Sequence, residues 1–352
     1  MMKWLWIIVI LILVFLLLLR WSGQEIHRKI PEGGICENMY VPINGTKQWI
    51  SIYGKKKDNP VLLYLHGGPG ASTSSYDYAF TRKWADVYTV VTWDQRNCGK
   101  SLSREQNNSE LTYDLFMSDG LEMTKFLLDY LGKEKLTILG HSWGTIFGCN
   151  LVLAYPEYYD CYIGTGQLVD LRQNELAFAA EASRWTQNDP EGQKLVQKLT
   201  VGDFSADYIQ ARNALMEKYG FDLFADGRDY SLPAAQFFNP YYSLKDYWKL
   251  LHSDFSIYEK FLNSEEFSKF SLLGRKNYPL PYYNINGDRD YQTNFRLAQS
   301  YFDSICAPRK EMYMIKDTTH GLLESKSREF SKILHQIAQK EHMHYTSKEE
   351  FL

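Results

Sequence analysis

Short apolar runs, each closed off by Gly, Pro or Asp, alternate along much of this chain with longer helix-like stretches. The runs are Trp49–Tyr53, Val61–Leu65, Val87–Trp93, Leu136–Leu139, Tyr162–Ile163, Tyr282–Ile285 and Glu311–Ile315. Their length and their bounding residues are those of buried strands. Between them, Leu111–Leu131 places Leu115, Phe126, Leu127 and Leu131 in a helical stretch with Gly132 ready as its C-terminal cap. A second helix is expected over Trp143–Tyr155, halted by Pro156, and a last one around Leu322–Gln339. Strands joined through helices run parallel, and a parallel sheet has to be covered on both faces. The expected fold class is therefore α/β, with a mostly parallel central sheet and helices on both sides.

The alternation breaks down between about 167 and 278, where the chain reads as helical, aromatic-rich and charged, with breaks at Asp189-Pro190, Gly202 and Pro233. The simplest organisation is one sheet domain, 24–166 and 279–352, interrupted by a helical cap at 167–278. Within the first part, 24–47 reads as a mixed, polar connector without a clear element. The aromatic residues between about 180 and 285 serve equally as an apolar lining or as a helical core.

The N-terminus carries a different signal. Trp4–Leu19 is an unbroken apolar run flanked by Lys3 and Arg20. As a helix, its 16 residues span roughly 24 Å at ~1.5 Å per residue, a little less than the ~30 Å hydrocarbon core. Snorkelling of Lys3 and Arg20, with Trp4, Trp6 and Trp21 at the interfaces, closes the gap. Trp21-Ser22-Gly23 is a poor cleavage site for a leader peptide, so residues 1–23 are expected to remain as a single-pass membrane anchor. The few basic residues, Lys3 on one side and Arg20, Arg28 and Lys29 on the other, do not decide which side of the membrane holds the rest of the chain.

Composition removes several classes of function. A formal net charge of −3, with no basic stripe and no zinc-finger spacing, gives no reason to expect nucleic acid. The five cysteines, Cys36, Cys98, Cys149, Cys161 and Cys306, are scattered and form no CxxC, which argues against a metal site and a disulfide framework. Oligomeric state is not readable.

The chemistry concentrates in a few motifs. Gly140-His141-Ser142-Trp143-Gly144 follows a strand-like run and opens a helix, the strand–turn–helix setting of a nucleophile elbow. A turn that tight needs glycines, and it lifts the Ser142 hydroxyl out of the sheet toward a helix N-terminus that favours negative charge. His66-Gly67-Gly68-Pro69-Gly70 follows another run, and an oxyanion hole is expected from the N–H groups of Gly68 and Trp143. His66 itself is expected to shape its loop. If the order is nucleophile, acid, base, the base is His320, in a loop before the last helix, rather than His335, His342 or His344. The acid is Asp290, three residues after Gly287, with Asp288 as a turn-capping neighbour. Asp94-Gln95-Arg96-Asn97-Cys98-Gly99 reads as a loop held by an internal ion pair, with Cys98 a bystander.

Together the HGGPG loop at 66–70, the Asp94-Gln95-Arg96 loop with Gly99 and Ser101, and Gly140-His141-Ser142-Trp143-Gly144 resemble the proline iminopeptidase branch of the α/β-hydrolases. Gly287, Asp290 and His320 fit the same pattern, and the resemblance covers roughly 48–165 and 280–340. It implies an α/β-hydrolase fold with a helical cap and release of N-terminal residues, often proline, from short peptides, without metal or organic cofactor. One departure is Asn97, where the family usually has glycine. The resemblance also implies that glutamates of the cap hold the substrate amine, but Glu175, Glu181 and Glu217 read as solvated helix charges and cannot be aligned to that role.

The expected activity is that of a serine hydrolase, Ser142–His320–Asp290, cleaving amide or ester bonds of small molecules or short peptides through an acyl-enzyme. The alternatives are a carboxylesterase or lipase-like enzyme for small esters, and a non-enzymatic receptor on the same fold.

Overall fold

The computed structural model describes residues 2–103, 110–202 and 204–349, with side chains up to 341. Eight strands form one sheet: β1 (Ile35–Ile43), β2 (Thr46–Gly54), β3 (Val61–Leu65), β4 (Thr89–Asp94), β5 (Leu136–His141), β6 (Tyr159–Thr165), β7 (Tyr282–Gly287) and β8 (Lys310–Ile315). Their spatial order is β1-β2-β4-β3-β5-β6-β7-β8, antiparallel at β1–β2 and β2–β4 and parallel from β4 onward.

Alternate residues of the central strands feed two separate cores, as a period of two requires. In β3, Val61, Leu63 and Leu65 face a core built with the helices Tyr113–Leu131 and Trp143–Ala154, while Leu62 and Tyr64 face one that holds Phe80, Trp84, Phe330 and Leu334. Both faces are therefore dry, which is why these strands read as continuous apolar runs. The helix Tyr113–Leu131 starts on Thr112, whose side chain accepts from Leu115 N, and ends on Gly132 in the left-handed region.

Residues 24–47, expected to be a connector, are instead the end of a helix and most of a hairpin. The N-terminal helix runs from Met2 to Arg28, past the apolar run, and β1 and β2 turn on Asn44-Gly45, both at positive φ. That dipeptide is a hairpin signal. β1 escapes pattern reading because it is an edge strand with only partial burial, carrying Glu37, Asn38 and Pro42. The apolar residues of the N-terminal helix are exposed, and the helix is long and apolar enough to cross a membrane.

Between β6 and β7 the described residues contain seven helices, from Leu171–Trp185 to Glu265–Ser268. Many aromatics there pack into cores. Phe261, Phe267 and Phe270 pack on Trp143, and Trp185, Tyr219 and Phe221 form a small cluster of their own with Phe178. The closing helix is broken into Leu322–Ser325 and Ser327–Glu349; His335 lies within it, and the side chains of His342 and His344 lie outside the described residues.

Candidate functional site

The residues singled out in the sequence meet at the C-terminal ends of β3, β5, β7 and β8, where ligand sites of open α/β sheets form. Ser142 stands between β5 and its helix at φ 55°, ψ −121°, outside the regions that non-glycine residues favour. The flanking glycines allow this. A Cβ on Gly140 would collide with the Gly144 carbonyl, and one on Gly144 with the carbonyl of Leu65 at the end of β3. Trp143 is the first residue of the helix, so its N–H has no intrahelical acceptor. Its indole is fully buried, donates to Gln95 Oε1 at 3.0 Å and packs on Phe270, which holds the elbow from behind.

The 66–70 loop curls over Ser142. A Cβ on Gly67 would lie 3.1 Å from Ser142 Cβ, and Gly68 has φ 119°, a conformation that only glycine adopts readily. His66 shapes this loop as expected. Its Nδ1 contacts Gly67 O at 2.8 Å and its Nε2 accepts from Gln95 N at 3.3 Å. Burial pushes its pKa down to about 4, so the ring is neutral at neutral pH.

His320 and Asp290 come together across β7 and β8, with Nδ1 to Oδ2 at 2.7 Å. Asp290 Oδ1 accepts from the N–H groups of Gln292 and Thr293 at 3.0 Å each, and Oδ2 accepts from Thr293 Oγ1 at 3.1 Å. Both side chains are buried. A ring whose Nδ1–H is held by a carboxylate presents Nε2 as the free base. Asp288 instead accepts from Thr318 N at 3.3 Å and braces the loop that carries His320.

Several contributors carry no motif. Gly166, after β6 at φ 59°, leaves room for the imidazole: a Cβ there would stand 2.7 Å from His320 Cε1 and 2.9 Å from Nδ1. His141 Nε2 meets His320 O at 3.2 Å, and burial and the neighbouring His320 lower its pKa to about 3, leaving a neutral ring that donates to that carbonyl. Only a glycine directly after a strand could have signalled Gly166.

The Asp94 loop is ordered, but not by an internal pair. Arg96 reaches out to Asp119 on the helix Tyr113–Leu131 (Nη2 to Oδ1, 2.7 Å), while Asp94 accepts from Ser72, from Ser74 Oγ at 2.8 Å and from Lys100 N at 2.7 Å. Gly99 lies against the Asp94 carboxylate, where a Cβ would collide. Asn97 has φ 59°, a conformation asparagine tolerates better than most residues. Cys98 is buried, and burial raises its pKa well above the usual thiol range, which makes it a poor nucleophile.

Of the cap carboxylates, Glu217 is exposed, but Glu175 and Glu181 are buried rather than solvated. Glu175 accepts from Arg212 Nε at 2.8 Å and Asn174 Nδ2 at 2.9 Å, and Arg212 continues to Gln292 Oε1 at 2.5 Å. Arg212 neutralises the charge that burial would otherwise penalise. The network ends on the Asp290 loop.

A cavity of about 200 Å³ opens onto Ser142 and His320, walled by Gly67, Gly68, Leu223, Phe224 and Gln292, with Glu324 in its side. Leu223 and Phe224 come from the inserted helical segment, latched by Gly321 N to Leu223 O at 2.8 Å and Thr319 N to Asp226 Oδ2 at 2.8 Å. Among the described residues no cluster of His, Cys, Asp or Glu has the arrangement of a metal site.

Burial pushes the Glu324 carboxyl up to about 7 from an ordinary value of 4.5. The folded chain then holds this proton through a range in which the unfolded chain has released it, so stability falls as pH rises from about 4.5 to about 7. Glu324→Gln has no proton to lose there. Its melting temperature, relative to the parent chain, is expected to climb between pH 5 and pH 8; a constant difference would refute the assignment.

Residues 60–326 match the family described as alpha/beta hydrolase fold. The chain belongs to that family. A probable aminopeptidase of Bacillus subtilis, YbaC, is 27% identical over 79% of this chain and 88% of its own length. The proline iminopeptidase of Lactobacillus helveticus is 24% identical over 52% of this chain, and the match spans 61% of that enzyme. Among solved structures, a proline iminopeptidase of Mycobacterium smegmatis superposes with a TM-score of 0.61 at 19% identity, covering 88% of this chain and all of the other. This α/β-hydrolase is thus a hydrolase similar to the proline iminopeptidases, with the sheet and flanking helices its pattern implied.

Proposed function

We propose that this α/β-hydrolase is a membrane-tethered serine aminopeptidase of the proline iminopeptidase type, acting on short peptides. The observation that carries the reading is the Asp290–His320 hydrogen bond at 2.7 Å, in the wall of the cavity that exposes Ser142. His320 Nε2 takes the Ser142 proton as Oγ attacks the substrate carbonyl. The oxyanion is held by the N–H groups of Gly68 and Trp143, His320 returns the proton to the leaving amine, and water releases the acyl-enzyme. Asp290, fixed by two backbone N–H groups and Thr293, keeps the imidazole in the required tautomer. The similarity to YbaC and to proline iminopeptidases supports a peptide with a free N-terminus as substrate. The N-terminal helix, with its exposed apolar run, supports the tether.

Turnover of prolyl-arylamides and short peptides, each with free and N-acetylated termini, tests the peptidase half. Preference for the free amine is expected. Equal rates, or hydrolysis of short acyl esters alone, would replace this reading with that of an esterase.

Gly166→Ala should lower kcat about 100-fold with little change in KM, because a methyl group in the space beside the imidazole shifts the base by a fraction of an ångström or more. An unchanged kcat would show that the ring does not need this space.

A further inference from the structure

The N-terminal helix does not leave the protein body at an arbitrary place. Arg20, which closes the apolar run, is buried and donates to the carbonyls of Phe237 and Tyr242, the latter at 2.6 Å. One turn on, Gln24 donates to Asn239 O at 2.8 Å, and one turn further Arg28 donates to Pro240 O at 2.7 Å. Gly23 lies against the Phe238 ring, where any side chain would collide. The last turns of the helix are thus stitched to residues 236–242. If the run Trp4–Leu19 is in lipid, as the tether reading has it, this segment sits at the bilayer surface.

Immediately after it, Ser243 and Asp246 form a capping box that starts a helix over Leu244–Leu251. No residue of this helix is buried. Leu244, Trp248 and Leu251 recur at the spacing of one helical face, Phe255 follows in the connection just beyond the helix, and the four are 51–82% exposed. Single exposed apolar residues need no explanation, but two leucines and a tryptophan on one face, with a phenylalanine four residues further along the chain, are a concentration of exposed apolar surface. Lys245 and Lys249 run beside that face and, with Lys47 and His252, line a broad groove that also holds Asp254. Asp246 is paired with Lys100 at 2.9 Å, so the flank keeps a positive excess. An apolar ridge bordered by lysines is the make-up of a helix lying in a membrane interface.

Position agrees with composition. Leu244 is two residues from Tyr242, whose carbonyl Arg20 holds, so at ~3.3–3.6 Å per residue it lies within about 7 Å of the residue to which the guanidinium closing the apolar run is bound. The headgroup zone is itself about 6 Å deep on each side of the hydrocarbon core.

We propose that the Leu244–Phe255 face is a second membrane contact, an interfacial surface that lies in the headgroup layer of an anionic bilayer and fixes the orientation of the catalytic domain on it. The proposal rests on the tether reading. It is independent of the substrate.

The test uses the full chain reconstituted in phosphatidylcholine vesicles, with and without phosphatidylserine, carrying brominated acyl chains. Trp4, Trp6, Trp21 and Trp248 are then the lipid-facing emitters. Trp248→Phe is expected to remove about a quarter of the quenchable fluorescence, one emitter of four. Phosphatidylserine should deepen the Trp248 share, and Lys245→Glu with Lys249→Glu should abolish that increment. Quenching identical in the parent chain and Trp248→Phe, with Trp4 and Trp6 still quenched, would overturn the surface and leave the tether standing. Absence of quenching in both would overturn the tether and the surface with it. Trp248 emission shielded from water but insensitive to brominated lipid would assign the face to a second copy of the chain and overturn the proposal.

Discussion

Ser142→Ala is expected to lower kcat by about 10⁴–10⁶, with KM for a short peptide little changed. The size follows from what the substitution removes. In the proposed mechanism the groups that remain without Oγ, the Gly68 and Trp143 N–H groups and the imidazole, would polarise a carbonyl but form no acyl-enzyme. The fold should survive, because this residue is tied to its surroundings through backbone hydrogen bonds, Ser142 N to Thr165 O at 3.0 Å and Thr145 Oγ1 to Ser142 O at 2.6 Å. Fluorophosphonate labelling should disappear with the activity. A variant that keeps either its turnover or its label would sink the assignment of the nucleophile.

The largest expected loss of stability comes from a residue with no chemical role. Asp119→Ala should cost about 3–5 kcal/mol, read as a fall in melting temperature of the detergent-solubilised chain. Asp119 is buried and accepts from Arg96 Nε at 2.8 Å and Nη2 at 2.7 Å, from Gln48 Nε2 at 2.7 Å and from Asn44 Nδ2 at 2.8 Å. Alanine leaves a guanidinium almost wholly out of water with its charge uncompensated. Activity should fall as well, since Arg96 belongs to the loop whose Gln95 touches both His66 and Trp143. Arg96→Met with Asp119→Leu should recover much of the loss, because an apolar pair carries no desolvation penalty. If Asp119→Ala alone melts like the parent chain, the pair is not a stabilising contact.

Asp119 also marks where pattern reading stops. Arg96 is visible in its loop motif, but its partner lies 23 residues away on a helix, and nothing local distinguishes that aspartate from a surface charge. The same holds for Glu175, which reads as a solvated helix residue until Arg212 is brought alongside it. Ion-pair partners are chosen by tertiary packing. Steric permissions are as well: Gly166 matters because His320 arrives from another strand to fill the space a side chain would occupy. β1 was hidden for a different reason, since an edge strand with one partner and mixed burial lacks the periodicity that marks a central one.

What the chain determines by itself is local. The elbow at 140–144, the glycine turn at 66–70 and the alternation that makes the sheet parallel follow from glycine's freedom, from strand and helix periods and from burial on two faces, all properties of neighbouring residues. The apolar run at 4–19 is of the same kind. The tertiary structure alone decides which distant groups meet. It brings His320 onto Asp290, His141 under the His320 carbonyl, Leu223 and Phe224 over the cavity, and residues 236–242 against the last turns of the N-terminal helix. These contacts join residues tens to hundreds of positions apart. Their partners are selected by how eight strands and their connections pack, and no short-range pattern encodes that.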